Sequence, residues 1–198
     1  MTTQHAASND HPLSHLRFSF VDVETTGLSA AQGHRICEIA VLAWIPGNEP
    51  AIWHTLIHPE RAIPAEVSAI HRITDTMVVA APHFKDIISH IQALVDDTIL
   101  VCHNTPFDYS FIQSEFSRAH QTLCCRQHID TLQLARRYFS FGSNRLENVA
   151  RCLGVPAVGY HRAQADVYAT YHIFTQMVPR ILQGGVEFDA LLSPLESK

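Results

Sequence analysis

The feature that most constrains the fold is a change of hydrophobic period partway along the chain. Before residue 59 the apolar residues fall in short strand-like runs, and after residue 82 they recur at helical spacing. Residues 17–24 read as a strand with Phe18, Phe20, Asp22 and Glu24 on one face and Ser19, Val21 and Val23 on the other. Thr25-Thr26-Gly27 stops it. Residues 35–45 are rich in Ile, Val and Trp and read as a buried strand, Pro46-Gly47-Asn48 as a turn, and residues 51–58 as a third strand ended by Pro59. Short turns between such strands predict an antiparallel meander. Pro82 then stands where a first helical residue would, followed by the stripe Phe84, Ile87, Ile88, Ile91 and Val95. A short buried strand is expected over 98–102, and a helix opened by Pro106 carries Phe107, Phe111, Ile112 and Phe116. A strand near His128 and a helix over 131–138 follow. Further helices are expected over 144–153, closed by Gly154, and from near Arg162 to near Pro179. Strands first, then strands alternating with helices, predict an α/β mixed sheet covered by helices.

The length of 198 residues suits one domain, expected over 16–179, with residues 1–15 as a disordered lead-in and 180–198 as a short tail. The polar start lacks the apolar stretch of a signal peptide, and runs such as 39–45 are too short to span a bilayer. Five cysteines form no framework spacing, so a reducing, cytoplasmic setting is expected. His120, Cys124, Cys125 and His128 match no common zinc spacing and read as thiols and imidazoles of a reduced protein. A net charge of -5 implies no basic face for a nucleic-acid backbone. Phosphate chemistry would therefore need metal ions or a local pocket.

Asp22 and Glu24 are the first anomaly. Two positions apart on a strand, they project from one face and end an apolar stripe in paired negative charge. Such neighbours repel and raise each other's pKa, a conflict that a hard divalent cation removes. A solvated strand end is the plain alternative. Asp108 alone reads better as part of a capping box in Thr105-Pro106-Phe107-Asp108, and His103 and Asn104 could serve simply as residues of the strand-to-helix turn. Asp166 alone is a helix-surface acid. On one continuous helix His161 and Asp166 would lie about 140° apart. They converge only if His161 belongs to the approach to the helix.

The constellation is more specific than its parts. Asp22-Val23-Glu24-Thr25-Thr26-Gly27-Leu28, then His103-Asn104 with Phe107-Asp108, then His161-Arg162-Ala163-Gln164-Ala165-Asp166 occur in that order. Together they closely resemble the three exonuclease motifs of the DEDD 3′–5′ exonuclease superfamily in its histidine-containing variety, the family of the proofreading epsilon subunits of bacterial DNA polymerase III. The likeness runs from about Phe18 to Val178 and takes in residues 66–74, Asp130-Thr131-Leu132 and Ala135-Arg136.

The resemblance implies a ribonuclease H-like fold, with a five-stranded mixed sheet, its first three strands antiparallel, and helices on both faces. It implies that Asp22, Glu24, Asp108 and Asp166 hold two Mg2+ or Mn2+ ions and that His161 is the general base. Imidazole in general titrates near neutrality, which suits that task. It further implies that Thr25, Leu28, Glu66, His71, His103 and Asn104 contact the terminal nucleotide, Leu28 as an apolar wedge. The implied activity is release of nucleoside 5′-monophosphates from nucleic acid 3′ ends, single-stranded DNA first and RNA as the alternative. Arg72 stands where the family often has Gly. Only residues 180–198 follow the last expected helix, whereas the polymerase subunit carries a long C-terminal extension. A stand-alone exonuclease, or one in transient contact with a polymerase, is therefore expected. The contrasting class is a non-catalytic binding module on the same fold, which would have lost at least one acid or the histidine.

Overall fold

The computed structural model describes residues 13–125, 127–156, 159 and 161–195. An antiparallel meander of β1 (Phe18–Thr25), β2 (Ile36–Trp44) and β3 (Ala51–Leu56) comes first. Helices α1 (Ala65–His71), α2 (Asp75–Val78) and α3 (Phe84–Val95) lead to β4 (Ile99–Cys102). Then come α4 (Thr105–Arg118), β5 (Gln127–Asp130), α5 (Thr131–Tyr138), α6 (Leu146–Cys152), α7 (Ala163–Gln183) and β6 (Ser193–Pro194). The sheet order is β3-β2-β1-β4-β5-β6. β4 runs parallel to β1 and to β5, while the remaining pairs are antiparallel.

β1 lies inside the sheet and is covered on both faces, so its alternation feeds two cores. Phe18 and Phe20 pack with Val167, Phe174 and Val178 of α7. The rings of Phe20 and Phe174 meet edge-on, 5.2 Å between centroids at 81°. Val21 and Val23 point the other way, to Ile88 and Ile91 of α3 and Phe111 and Ile112 of α4. Burying a side chain of this size is worth about 1.5–3 kcal/mol. These two layers fix the ends of α4 and α7 beside the carboxyl end of β1.

Several expectations are corrected. The sheet has six strands instead of five, because Ser193–Pro194 pairs with Gln127 and His128. A two-residue strand has no periodicity to read. α1 and α2 are too short for an apolar stripe and were not anticipated. The helix over 84–95 starts two residues after Pro82, with His83 as its N-cap. α7 continues through Pro179 to Gln183. Pro179 removes one backbone donor, but burial of Val178 and Ile181 holds the turn beyond it. The borders at 16 and 179 fall within packed structure. Leu13 lies in the first core and its carbonyl accepts from the Leu16 N–H. Leu191, beyond α7, is also buried. Residues 1–12 of the expected lead-in lie outside the described residues. Cys37, Cys102, Cys124 and Cys152 are free thiols.

Candidate active site

Pairing of β4 with β1 reaches only Phe20, opposite Val101. Beyond it the β4 side of β1 is open, and the stretch carrying Asp22 and Glu24 borders a crevice at the carboxyl ends of two parallel strands. Asp166, in the first turn of α7, enters this crevice from the Phe20 side. Carboxylate oxygens of Asp22, Glu24 and Asp166 lie within 4.8 Å of one another. Asp108 of α4 is buried, and its Oδ1 accepts from the Val23 N–H at 3.1 Å. That donor lies between the two β1 acids, so Asp108 is pinned beside them. The capping-box reading is corrected here. The N-cap is Asn104, Asp108 is the fourth helical residue, and its carboxylate accepts from β1.

The acids share one electrostatic problem. Burial, then repulsion from Asp108, Asp166, Glu24 and Glu38, hold the Asp22 carboxyl well above its ordinary range. Burial and the same neighbours push Glu24 up to about 8. Asp108 is pushed up to about 8, mostly by burial and against the hydrogen bond from Val23. Asp166 rises to about 6, again by burial, although the His161 N–H opposes the rise. Asp166 Oδ1 is buried and has no hydrogen-bond partner among the described residues. Converging oxygen donors, one of them unsatisfied, fit a hard divalent cation.

His161 meets the condition set by its spacing. It precedes α7 in a left-handed conformation, φ 62°, and its backbone N–H donates to Asp166 Oδ2 at 3.2 Å. The turn brings a residue that helical geometry would send elsewhere to the same site. Its ring is half exposed, with Nε2 3.2 Å from Glu147 Oε1 of α6.

The residues expected at the nucleotide divide into two groups. Leu28 is 88% exposed on the turn after β1. Thr25 is buried, and its Oγ1 donates to the Gly27 carbonyl at 2.6 Å. A Cβ on Gly27 would lie 2.3 Å from His34 Cε1, so a side chain there would displace the imidazole that closes the turn. Glu66 is exposed in the first turn of α1. His71 and His103 face inward. His71 is buried; its Nδ1 accepts from the Ile73 N–H at 3.0 Å and its Nε2 lies 3.9 Å from Cys37 Sγ. His103 has Nε2 2.9 Å from the Asn144 carbonyl and Nδ1 2.9 Å from Thr131 Oγ1. Both ring nitrogens are thus engaged by the protein. Burial lowers the pKa of both imidazoles, favouring the neutral form. Asn104, at φ 85°, donates its N–H to Asp130 Oδ1 at 3.0 Å, and the same oxygen caps α5 through Leu132. His71 and His103 are thus held through their ring nitrogens, and Asn104 through its backbone N–H.

With this geometry in place, relatives become informative. The family model described as Exonuclease, RNase_T, matches residues 19–174. The chain belongs to the RNase_T exonuclease family. DNA polymerase III subunit epsilon of Treponema pallidum is 36% identical over 167 residues, 83% of this chain and 77% of that protein. A DNA polymerase III subunit epsilon-like protein of Rhodobacter capsulatus is 31% identical over 198 residues, spanning 95% of this chain but 27% of its own length. Among solved structures, Exonuclease X in complex with 5′ overhanging duplex DNA superposes with a TM-score of 0.69 at 26% identity, covering 88% of this chain and 96% of that one. E. coli Exonuclease I in complex with a dT13 oligonucleotide superposes with a TM-score of 0.68 at 21% identity, over 85% of this chain and 43% of that one, a likeness of fold. The protein is a 3′–5′ exonuclease of the epsilon-like kind, and its family is divalent-metal dependent. Among the described residues no helix of this exonuclease is long and apolar enough to cross a membrane.

Two acidic residues beside the site are not singled out by the sequence. Glu38 is buried on β2, directly across from Glu24. Its signal was a lone acid within the apolar run of residues 36–44. Glu147 had no signal, since only the packing of α6 brings it to His161.

Proposed function

We propose that this exonuclease removes nucleoside 5′-monophosphates from the 3′ ends of DNA, single-stranded DNA above all. The observation that carries the proposal is the convergence of Asp22, Glu24 and Asp166 within 4.8 Å with Asp108 pinned to the backbone between the first two. Asp22, Glu24, Asp108 and Asp166 would hold two Mg2+ or Mn2+ ions, the oxygen-only donor set favouring these over softer metals. When bound, such ions supply an ionised water and neutralise charge on the phosphodiester.

The chain's own residues do the rest. His161 takes the proton of the attacking water on its imidazole and, being half exposed, hands it to solvent. The Glu147 carboxylate, 3.2 Å from His161 Nε2, orients the ring. Leu28 stands clear of the fold and wedges against the last base, a contact tolerant of base identity. Thr25 braces the turn that carries it, and Glu66 on α1 lies free to accept from the terminal sugar. DNA is favoured over RNA because a relative named as a DNA polymerase III subunit is similar in sequence and an exonuclease solved with DNA shares the fold. Proofreading in transient contact with a polymerase is the setting we infer on the same ground.

The test is cleavage of 5′-labelled single-stranded DNA and matched RNA with Mg2+, Mn2+ or EDTA, beside Asp22→Ala. The expected result is a metal-dependent ladder shortening from the 3′ end of DNA, absent in the variant. Faster RNA cleavage would replace the substrate assignment, and full activity in Asp22→Ala would overturn the site.

A further inference from the structure

We propose that Glu38 is a positioning residue, a buried β2 carboxylate that clamps the chain between His161 and Asp166 through Arg162 and the Ala163 N–H. The inference rests on the exonuclease reading of that site and adds a residue to it.

Glu38 is 1% exposed, on a strand whose other buried residues are all apolar. Its Oε2 accepts from Arg162 Nε at 2.9 Å and from the Ala163 N–H at 3.0 Å. Its Oε1 accepts from Arg162 Nη2 at 2.6 Å and, more weakly, from Nε at 3.2 Å. The guanidinium fork and the carboxylate thus meet side-on, a geometry that fixes direction as well as distance. α7 begins at Ala163, and its N-cap, Arg162, has no side-chain cap of its own. Glu38 supplies that cap from another element.

The consequence lies in the order of the chain. His161 and Asp166 flank the two clamped residues, and the His161 N–H is itself bound by Asp166 Oδ2. His161 is held in a left-handed conformation that a free loop would leave. Glu38 therefore ties the first turn of α7, and the histidine before it, to the strand opposite Glu24. Two acids of the site are brought into register across a β-ladder and a clamp. The clamp is poorly explained by stability. A buried ion pair gains little over apolar residues of similar volume, because both charges must be desolvated. What it adds is orientation. Arg162 also partly offsets the charge of this further carboxylate beside the cluster.

The test compares the full chain with Glu38→Met/Arg162→Met, which removes both charges and keeps the volume. Three quantities are read: melting temperature, Mn2+ binding by electron paramagnetic resonance, and kcat with KM on a 5′-labelled oligonucleotide. The double variant is expected to melt no lower than the parent. Its Mn2+ affinity should fall about tenfold or more, as for other outer partners of metal ligands. Its kcat should fall about a hundredfold with KM unchanged, the signature of a misplaced reacting group. Arg162→Lys, which keeps the charge but not the fork, should bind Mn2+ more weakly and lose about tenfold in kcat without losing stability. Parental Mn2+ affinity and kcat in a folded double variant would overturn the proposal, and so would parental values in Arg162→Lys should the double variant fail to fold. A parent that binds Mn2+ but cleaves nothing overturns the exonuclease reading instead, and the Mn2+ comparison still decides the clamp.

Discussion

Glu24 offers a stability test that needs no substrate. Its carboxyl is raised from 4.5 to about 8, first by burial and then by its acidic neighbours. A raised pKa means that the folded state binds the proton more tightly than the unfolded chain. The resulting stability is fully present below about pH 4.5 and is lost as pH rises through about 8. Each linked proton changes stability by about 1.36 kcal/mol per pH unit within that window. Between pH 6 and pH 8 Glu24 alone should therefore withdraw about 2 kcal/mol from the metal-free protein. For a chain of this size that is a fall of about 4–8 °C in melting temperature. The assay is thermal unfolding in EDTA at pH 6 and pH 8, for the parent and for Glu24→Gln. The parent should lose stability across the interval, and the variant should lose less by about that amount. Asp108, also near 8, leaves a residual slope in the variant. A saturating divalent cation should reverse the parent's loss, by about 2.7 kcal/mol at a hundred times Kd. A metal-free parent equally stable at both pH values, or a Glu24→Gln protein with the parental slope, would refute the account of the acids as a repelling cluster.

Three further outcomes are expected. His161→Ala should lower kcat by about 100-fold or more while Mn2+ affinity, measured by calorimetry, stays close to parental, because the ring contributes to proton transfer and the acids to binding. Gly27→Ala should cost about 1 kcal/mol in urea unfolding, since the displaced His34 ring gives up its 3.2 Å contact with Thr26 Oγ1. It should also raise KM by loosening the turn that projects Leu28. Arg72→Gly should stabilise the protein by about 1 kcal/mol, because Arg72 closes α1 in a left-handed conformation, φ 63°, that glycine adopts without a Cβ penalty. An unchanged or lower unfolding midpoint for Arg72→Gly would refute that account.

The Arg72 case also shows what is legible in residues alone. The family resemblance implies a habit of glycine at that position, but the positive φ that accounts for it belongs to the folded helix end. β1 was legible because a strand covered on both faces carries two apolar faces, and Asp22 and Glu24 broke one of them. The three motifs were legible because their chemistry needs acids and a histidine at set spacings. The direction in which a side chain points was not. His71 and His103 stood among the substrate contacts by motif position, yet their ring nitrogens are taken up inside the protein. Asp108 fitted a capping box by local spacing, but an open stretch of β1 offered it a better donor.

The sequence by itself determined the order of the longer elements, the two apolar faces of β1 and the identity of the acids, since these depend on period and local spacing. The tertiary structure decided which groups meet. α4 and α7 are separated from β1 and β2 by long stretches of chain, and only sheet pairing and the two cores bring them together. Glu38 and Arg162 lie 124 positions apart and form one clamp. No local pattern encodes such a contact, because its energy arises only once both side chains have left water for the same place.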